Sequence, residues 1–448
     1  MTDNAVSASH PREDLSADMA PRSQLYAYYV LFILLLVFIL NWIDRMVVSI
    51  LLVPIQQEFG LSDTAMGVLS GSGFAILYAI ATVWIARFSD HSNRRNLVSL
   101  ALTVWSAATA LCGAVTSFGQ LLVGRAVVGV AEAGGGAPTY SLISDYFEPR
   151  RRALAMGIYS SGIYIGIMLS FLLGSFLAER FGWRMTFLLL GPPGLVLALL
   201  LRFTVREPLR GRFEPAQLRS DEPMSAVLRF LWQQRAYLAA AGGLTITAVT
   251  QGAYAAWVPA LLIKVHGLSL TQVGLSLGLV LGIAGAVGTF SGGALADWLS
   301  VRDPRIRLYF PAIVTLLTTP FFAAFCLVGD FHLALAIYAT GTVISAMHFG
   351  PAFGLTQNLA RPTMRGVATA LVMVATVLTG QGIGPVLTGI LSDALRAGFG
   401  EESLRYALAI MAGFATLGAL MFAYGARYVA ADMARATGSD LSDPEARV

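Results

Sequence analysis

Ala86-Arg87-Phe88-Ser89-Asp90-His91-Ser92-Asn93-Arg94-Arg95 marks the point where a long apolar run gives way to a short charged turn. The first five of these residues return 207 positions later as Gly293-Ala294-Leu295-Ala296-Asp297. A second echo pairs Pro149-Arg150-Arg151-Arg152 with Pro362-Thr363-Met364-Arg365 at an offset of 213, so a small indel separates the two matches. Apolar runs that end on the same turn chemistry at nearly one offset describe a chain built of two similar halves.

Working outward from that turn, the apolar runs are too long and too regular for a soluble domain. The chain is 56% hydrophobic and 12% charged, against about 25% charged residues in soluble domains. Lipid is the solvent that such a surface fits. A membrane-spanning helix needs roughly 20 apolar residues. Twelve candidates meet that rule: 26–54, 64–87, 96–116, 119–146, 153–178, 185–203, 236–263, 271–297, 307–328, 332–359, 366–394 and 403–428. The expected fold is therefore an all-α polytopic membrane protein of twelve helices, in two pseudo-symmetric six-helix bundles at 26–203 and 236–430. Residues 1–25 and 431–448 read as polar tails, and 204–235 as a linker rich in arginine and proline.

Basic residues set the expected orientation, because cytoplasmic loops collect Lys and Arg. With both termini cytoplasmic, 23 of the 30 basic residues fall on the cytoplasmic side and five on the other. The expected location is the inner (plasma) membrane. Lys264 is the only lysine. The net charge of +4 does not form the aromatic-interleaved basic stripe of a nucleic-acid binder. Cys112 and Cys326 both fall inside spans, so no disulfide framework is suggested. No metal-ligand cluster, phosphate loop or nucleophile–base pair stands at useful spacing. The chain reads as a non-enzyme that needs neither metal nor cofactor, and, without a nucleotide motif, as a secondary transporter. A monomer is expected.

The Asp90–Arg95 turn resembles the loop 2–3 signature of the major facilitator superfamily, with Ala86 and Asn93 in place of its two glycines. An Asp at a helix end can meet a neighbouring helix N-terminus and an arginine of the facing loop. The resemblance implies a gating set of Asp90, Arg94, Arg95, Asp145, Arg151 and Asp297. An ordinary helix end with orientation-setting arginines is the plainer alternative. Span 4 resembles the superfamily's fourth helix through Arg125, Gly129, Glu132 and Ala133. Span 1 carries Asn41-Trp42-Ile43-Asp44-Arg45, a string similar to that of the Spinster-like branch. The glycines Gly162, Gly166 and Gly174 and the run Gly182-Trp183-Arg184 extend the likeness across span 5. That resemblance implies a lysolipid or sphingolipid-phosphate type of substrate, whereas the residues alone support a molecule with a charged group.

Intramembrane charges cost at least about 2.5–3.5 kcal/mol and are usually functional. Arg125 and Glu132 are seven apart and share a helix face. A rise of about 1.5 Å per residue puts Asp44 and Arg45 between Glu132 and Arg125 in height. If the faces meet, the four form one polar cluster. Asp44 and Glu132 would then carry protons, while Arg45 and Arg125, with Asn41, would receive an anionic or zwitterionic group. An ion pair that only ties helices together is the structural alternative.

The second half offers fewer charges. Gln251, Tyr254 and Trp257 of span 7, His348 of span 10 and Gln381 of span 11 are candidate lining residues, as is Tyr159 of span 5; packing is the alternative for each. The leading expectation is proton-coupled transport of a lysolipid-like or other amphiphilic anion by alternating access. Small organic anions such as sugar acids are the rival substrates, and a non-transporting receptor is a third reading.

Overall fold

The computed structural model describes residues 24–89, 91–211, 213, 223–301 and 303–437. Asp90, both outer tails and the centre of the linker lie outside the described residues.

The first half comprises α1 (Gln24–Phe59), α2 (Asp63–Ser70), α3 (Ser72–Ser89), α4 (Arg94–Cys112), α5 (Phe118–Glu132), α6 (Gly136–Tyr146) and α7 (Pro149–Thr204). The linker carries α8 (Met224–Gln233). The second half comprises α9 (Arg235–His266), α10 (Leu270–Leu279), α11 (Gly285–Ser300), α12 (Ile306–Leu327), α13 (Phe331–Ala346), α14 (Phe349–Asn358), α15 (Arg365–Val377), α16 (Gly384–Phe399), α17 (Ser403–Ala426) and α18 (Val429–Thr437).

Six crossings per half emerge when the broken helices are joined. The pairs α2–α3, α5–α6, α10–α11, α13–α14 and α15–α16 each make one interrupted crossing. The long α7 makes two, because Gly182 (φ 79°) breaks its helical path. Residues before the break run alongside α1, with Gly174 beside Val47 and Ile50. Those after it return along α4, until the Tyr26 hydroxyl donates to the Thr204 carbonyl at 2.9 Å. Eight of the described segments are long and apolar enough to cross a membrane, and Pro149–Thr204 and Pro362–Ala426 are long enough for two crossings each. The surface is studded with exposed Trp84, Phe88, Leu111, Phe290, Trp298 and Ile313, as a lipid-facing surface requires.

The ends of the described chain share one face with the linker, hereafter the linker face. Asp432 of α18 is fully buried there and accepts the Ala236 N–H at the start of α9 at 2.6 Å. The stretch after about Ala431 was expected to be tail. It is helical to Thr437 because this carboxylate caps a helix N-terminus, where orphan N–H groups need an acceptor. In the linker, α8 docks Val227 and Leu231 into the core of the second half.

Polar residues in the turns stop and start the crossings. Ser62, Asn93, Ser117, Ser269 and Asp330 each accept a backbone N–H of the helix they precede. Glycines then let crossings of different halves touch through backbone. A Cβ on Gly67 would stand 2.6 Å from the Pro385 carbonyl oxygen, and one on Gly71 would stand 2.8 Å from that of Gln381. The breaks at Gly71 and at the π-helical turn Val280–Ala284 occupy equivalent places in the repeat, near mid-depth.

Candidate functional site

Two buried helix breaks and one buried ion pair define the centre of the first half. The Arg45 Nε donates to Glu132 Oε2 at 2.7 Å, joining α1 to α5. Asp44 is 5% exposed and Glu132 1% exposed, so neither carboxylate is solvated by bulk water. Arg125 is 3% exposed, and its Nε and Nη1 find no acceptor among the described residues. Asn41, one turn before Arg45, is buried with them. The four charges from spans 1 and 4 thus sit together in the interior, at the heights that helical rise dictates.

Aromatic rings shape the cluster. The Arg45 guanidinium lies 4.6 Å from the Tyr78 ring centre, 5.2 Å from that of Phe74 and 5.6 Å from that of Trp42. Arg125 lies 5.6 Å from the same Phe74 ring. Phe74 reaches α5 because Gly129 has no side chain; a Cβ there would meet the Phe74 carbonyl oxygen at 2.8 Å.

Both arginines line a small cavity between the two halves. Ser49, Ser70 and Gln381 add neutral polar groups to its wall, while Phe74, Met46, Ala255, Ala256 and Pro385 make it amphiphilic. Gln381 therefore stands where the sequence reading put it. Other expected lining residues are engaged elsewhere. Tyr159 stacks on Phe38 at 4.3 Å within the core of the first half. The Tyr254 hydroxyl lies 3.0 Å from the carbonyl oxygens of both Phe322 and Leu408. Trp257 Nε1 donates to the Pro385 carbonyl at 2.9 Å. His348 is 1% exposed, with its Nδ1 against the Ser345 carbonyl, and Gln251 reaches the Ser345 hydroxyl. The Tyr254 hydroxyl, the Trp257 indole N–H, His348 Nδ1 and the Gln251 amide nitrogen are thus engaged by groups of the second half.

The distal face is closed by contacts that sequence reasoning missed. Asp393, near the end of α16, accepts the Asp63 N–H at 3.1 Å, the Thr64 N–H at 2.8 Å and the Thr64 hydroxyl at 2.6 Å. Lys264 at the end of α9 pairs with Asp63 at 2.9 Å, and Ser392 donates to the same carboxylate at 2.7 Å. The repeat-related contact joins Glu179 of α7 to the start of α10, where it accepts the Thr271 N–H and the Ser269 hydroxyl. Each half thereby seats a carboxylate on the other half's helix N-terminus, where the helix dipole favours negative charge. The signal was in the repeat: an acid ends both spans 5 and 11, and a Ser-led turn opens both spans 2 and 8.

On the linker face, Arg94 is fully buried and bonds Asp145, Ser141 (2.6 Å) and Glu207 (2.7 Å). The Arg95 N–H donates to Glu207 at 2.8 Å, and the Gly211 N–H to Asp145 at 3.0 Å. These bonds tie the first half to the linker. Arg151 and Asp297 are exposed, and Asp90 lies outside the described residues. Among the described residues, the hydrogen bonds and ion pairs between halves all lie at mid-depth or on the distal face.

Two six-helix bundles related by repeat, meeting around a charged interior cavity, are the build of a membrane transporter. The sequence profile of the Major Facilitator Superfamily matches residues 34–380, and the chain belongs to that family. An "MFS-type efflux pump" of Mycolicibacterium smegmatis is 32% identical over 418 residues, covering 92% of this chain and 96% of that one. Human "Protein spinster homolog 1" is 27% identical over 424 residues, covering 89% and 80%. A crystal structure of a bacterial homolog to the human lysosomal transporter Spinster, in an inward-facing and unoccupied conformation, superposes with a TM-score of 0.85. It is 27% identical, over 92% of this chain and 99% of that one. Within the superfamily the chain is similar to the Spinster homologues.

Proposed function

We propose that the chain is a proton-coupled transporter of an amphiphilic anion or zwitterion, working by alternating access between the two halves. One observation carries the reading: two carboxylates and two guanidiniums share a dry interior, and both guanidiniums open into the cavity between the halves. With all four ionised the cluster is neutral. A proton on Glu132 cancels its half of the 2.7 Å pair and leaves one uncompensated guanidinium, which then favours an anionic head group. Asp44 sits beside it as the second proton carrier. An apolar wall next to the arginines suits a chain-bearing solute such as a lysophospholipid, the class that the Spinster-like resemblance implies.

The linker face is the cytoplasmic one in this reading, as the arginine distribution requires. The membrane is then the inner (plasma) membrane, with both termini inside. The gating set on that face, Arg94, Arg95 and Asp145 above all, stiffens the first half as the distal contacts open and close. Small organic anions such as sugar acids are the alternative cargo.

The test is a proteoliposome flux assay with lysophosphatidylglycerol, sphingosine phosphate and a sugar acid, with and without an imposed pH gradient. Gradient-driven movement of the lipids and not of the sugar acid is expected. Movement of the sugar acid alone would replace the substrate class, and indifference of every flux to the gradient would remove the proton.

A further inference from the structure

Phe74 is an apolar residue held against two cations. Its ring centre lies 5.2 Å from the Arg45 guanidinium and 5.6 Å from that of Arg125, although the ring itself is only 3% exposed. Two like charges this close in a dry site repel, and the negative face of a ring is one of the few uncharged groups that attracts both. Tyr78 stacks on Phe74 one turn later, with centroids 5.5 Å apart and planes at 17°, and extends the face under Arg45. The backbone has been shaped to allow this. Gly129 lies one turn beyond Arg125 and leaves room for Phe74, and the break at Gly71 frees α3 from the line of α2.

We propose that Phe74 is a positioning residue that spaces Arg45 and Arg125 into a two-pronged receptor for one anionic head group. The inference rests on the reading that these arginines receive the substrate anion. When Glu132 takes a proton, Arg45 loses its charged partner. The ring then keeps the guanidinium facing the cavity, so both prongs stay in contact with one ring and the incoming anion meets them at a fixed separation. Without the ring, Tyr78 and Trp42 still touch Arg45, but nothing ties its position to that of Arg125, and the spacing of the two prongs is lost.

The experiment compares lysophosphatidylglycerol transport by wild type, Phe74→Leu, Phe74→Tyr and Arg125→Gln in proteoliposomes. Loss of the ring's contacts with the two guanidiniums should raise KM about threefold to thirtyfold. Phe74→Leu, which keeps bulk and apolarity, should show that rise with turnover within about twofold of wild type on this account. Phe74→Tyr, which keeps the ring, should return KM to within about twofold of wild type by the same reasoning. Calorimetric binding of the same lipid in detergent gives the comparison for any variant that folds but does not turn over. An unchanged KM in Phe74→Leu beside a raised one in Arg125→Gln overturns the inference alone, as does an equal rise in Leu and Tyr. A wild-type KM in Arg125→Gln brings down the receptor reading together with it.

Discussion

Asp393→Asn should open the distal face. The Asp393 carboxylate holds the N-terminus of α2 through Asp63 N–H (3.1 Å), Thr64 N–H (2.8 Å) and Thr64 hydroxyl (2.6 Å). Asparagine keeps the shape and one acceptor oxygen but loses the charge and the second acceptor. A hydrogen bond to a charged group contributes about 1.5–3 kcal/mol net, so the exchange costs the closed state about 2 kcal/mol on that scale. At 1.4 kcal/mol per decade that is about a thirtyfold gain in the open population. Lys264 reports it directly. It is the only lysine of the chain, it is engaged with Asp63 at 2.9 Å, and its side chain is 22% exposed. An amine-reactive probe on the detergent-solubilised protein, read by mass spectrometry of the Lys264 peptide, measures how often that amine is released. Labelling about thirtyfold faster in Asp393→Asn is expected from the same arithmetic. A rate indistinguishable from that of the parent would refute the reasoning.

Glu179→Gln removes the repeat-related contact on α10 and should also accelerate Lys264 labelling. With Asp393→Asn the two effects should multiply, because the contacts share no partner; a double variant no faster than either single one would show that they form one unit. Tyr254→Phe removes the hydroxyl that bridges the Phe322 and Leu408 carbonyl oxygens and should cost about 1 kcal/mol. It should lower the melting temperature in a detergent thermal ramp while leaving transport per folded molecule unchanged, and a selective loss of transport would move Tyr254 into the binding site.

The fold was legible because lipid imposes length and composition, and because the repeat shows itself at turns such as Asp90 and Asp297. The charged cluster was legible too. A buried charge in an apolar run stands out, and helical rise placed Asp44 and Arg45 between Glu132 and Arg125 in height, though not which faces meet. Phe74 was invisible, since one more aromatic residue in an apolar span carries no mark; only the ring's position beneath two guanidiniums distinguishes it. Tyr254, Trp257 and His348 misled for a related reason. A polar atom inside a span advertises a cavity or a backbone carbonyl equally well, and here carbonyls of Phe322, Pro385 and Ser345 take them. The distal contacts escaped because they join residues as far apart as Asp63 and Asp393, and such pairings depend on how the halves close.

The most direct measurement is uphill substrate accumulation in proteoliposomes driven by a pH gradient, compared among wild type, Asp44→Asn and Glu132→Gln. Wild type should concentrate lysophosphatidylglycerol against its gradient. Glu132→Gln should equilibrate it at best, because no proton can then be traded for the partner of Arg45, and Asp44→Asn, which removes the second carrier, should accumulate less than wild type. Full gradient-driven accumulation by both would contradict the account.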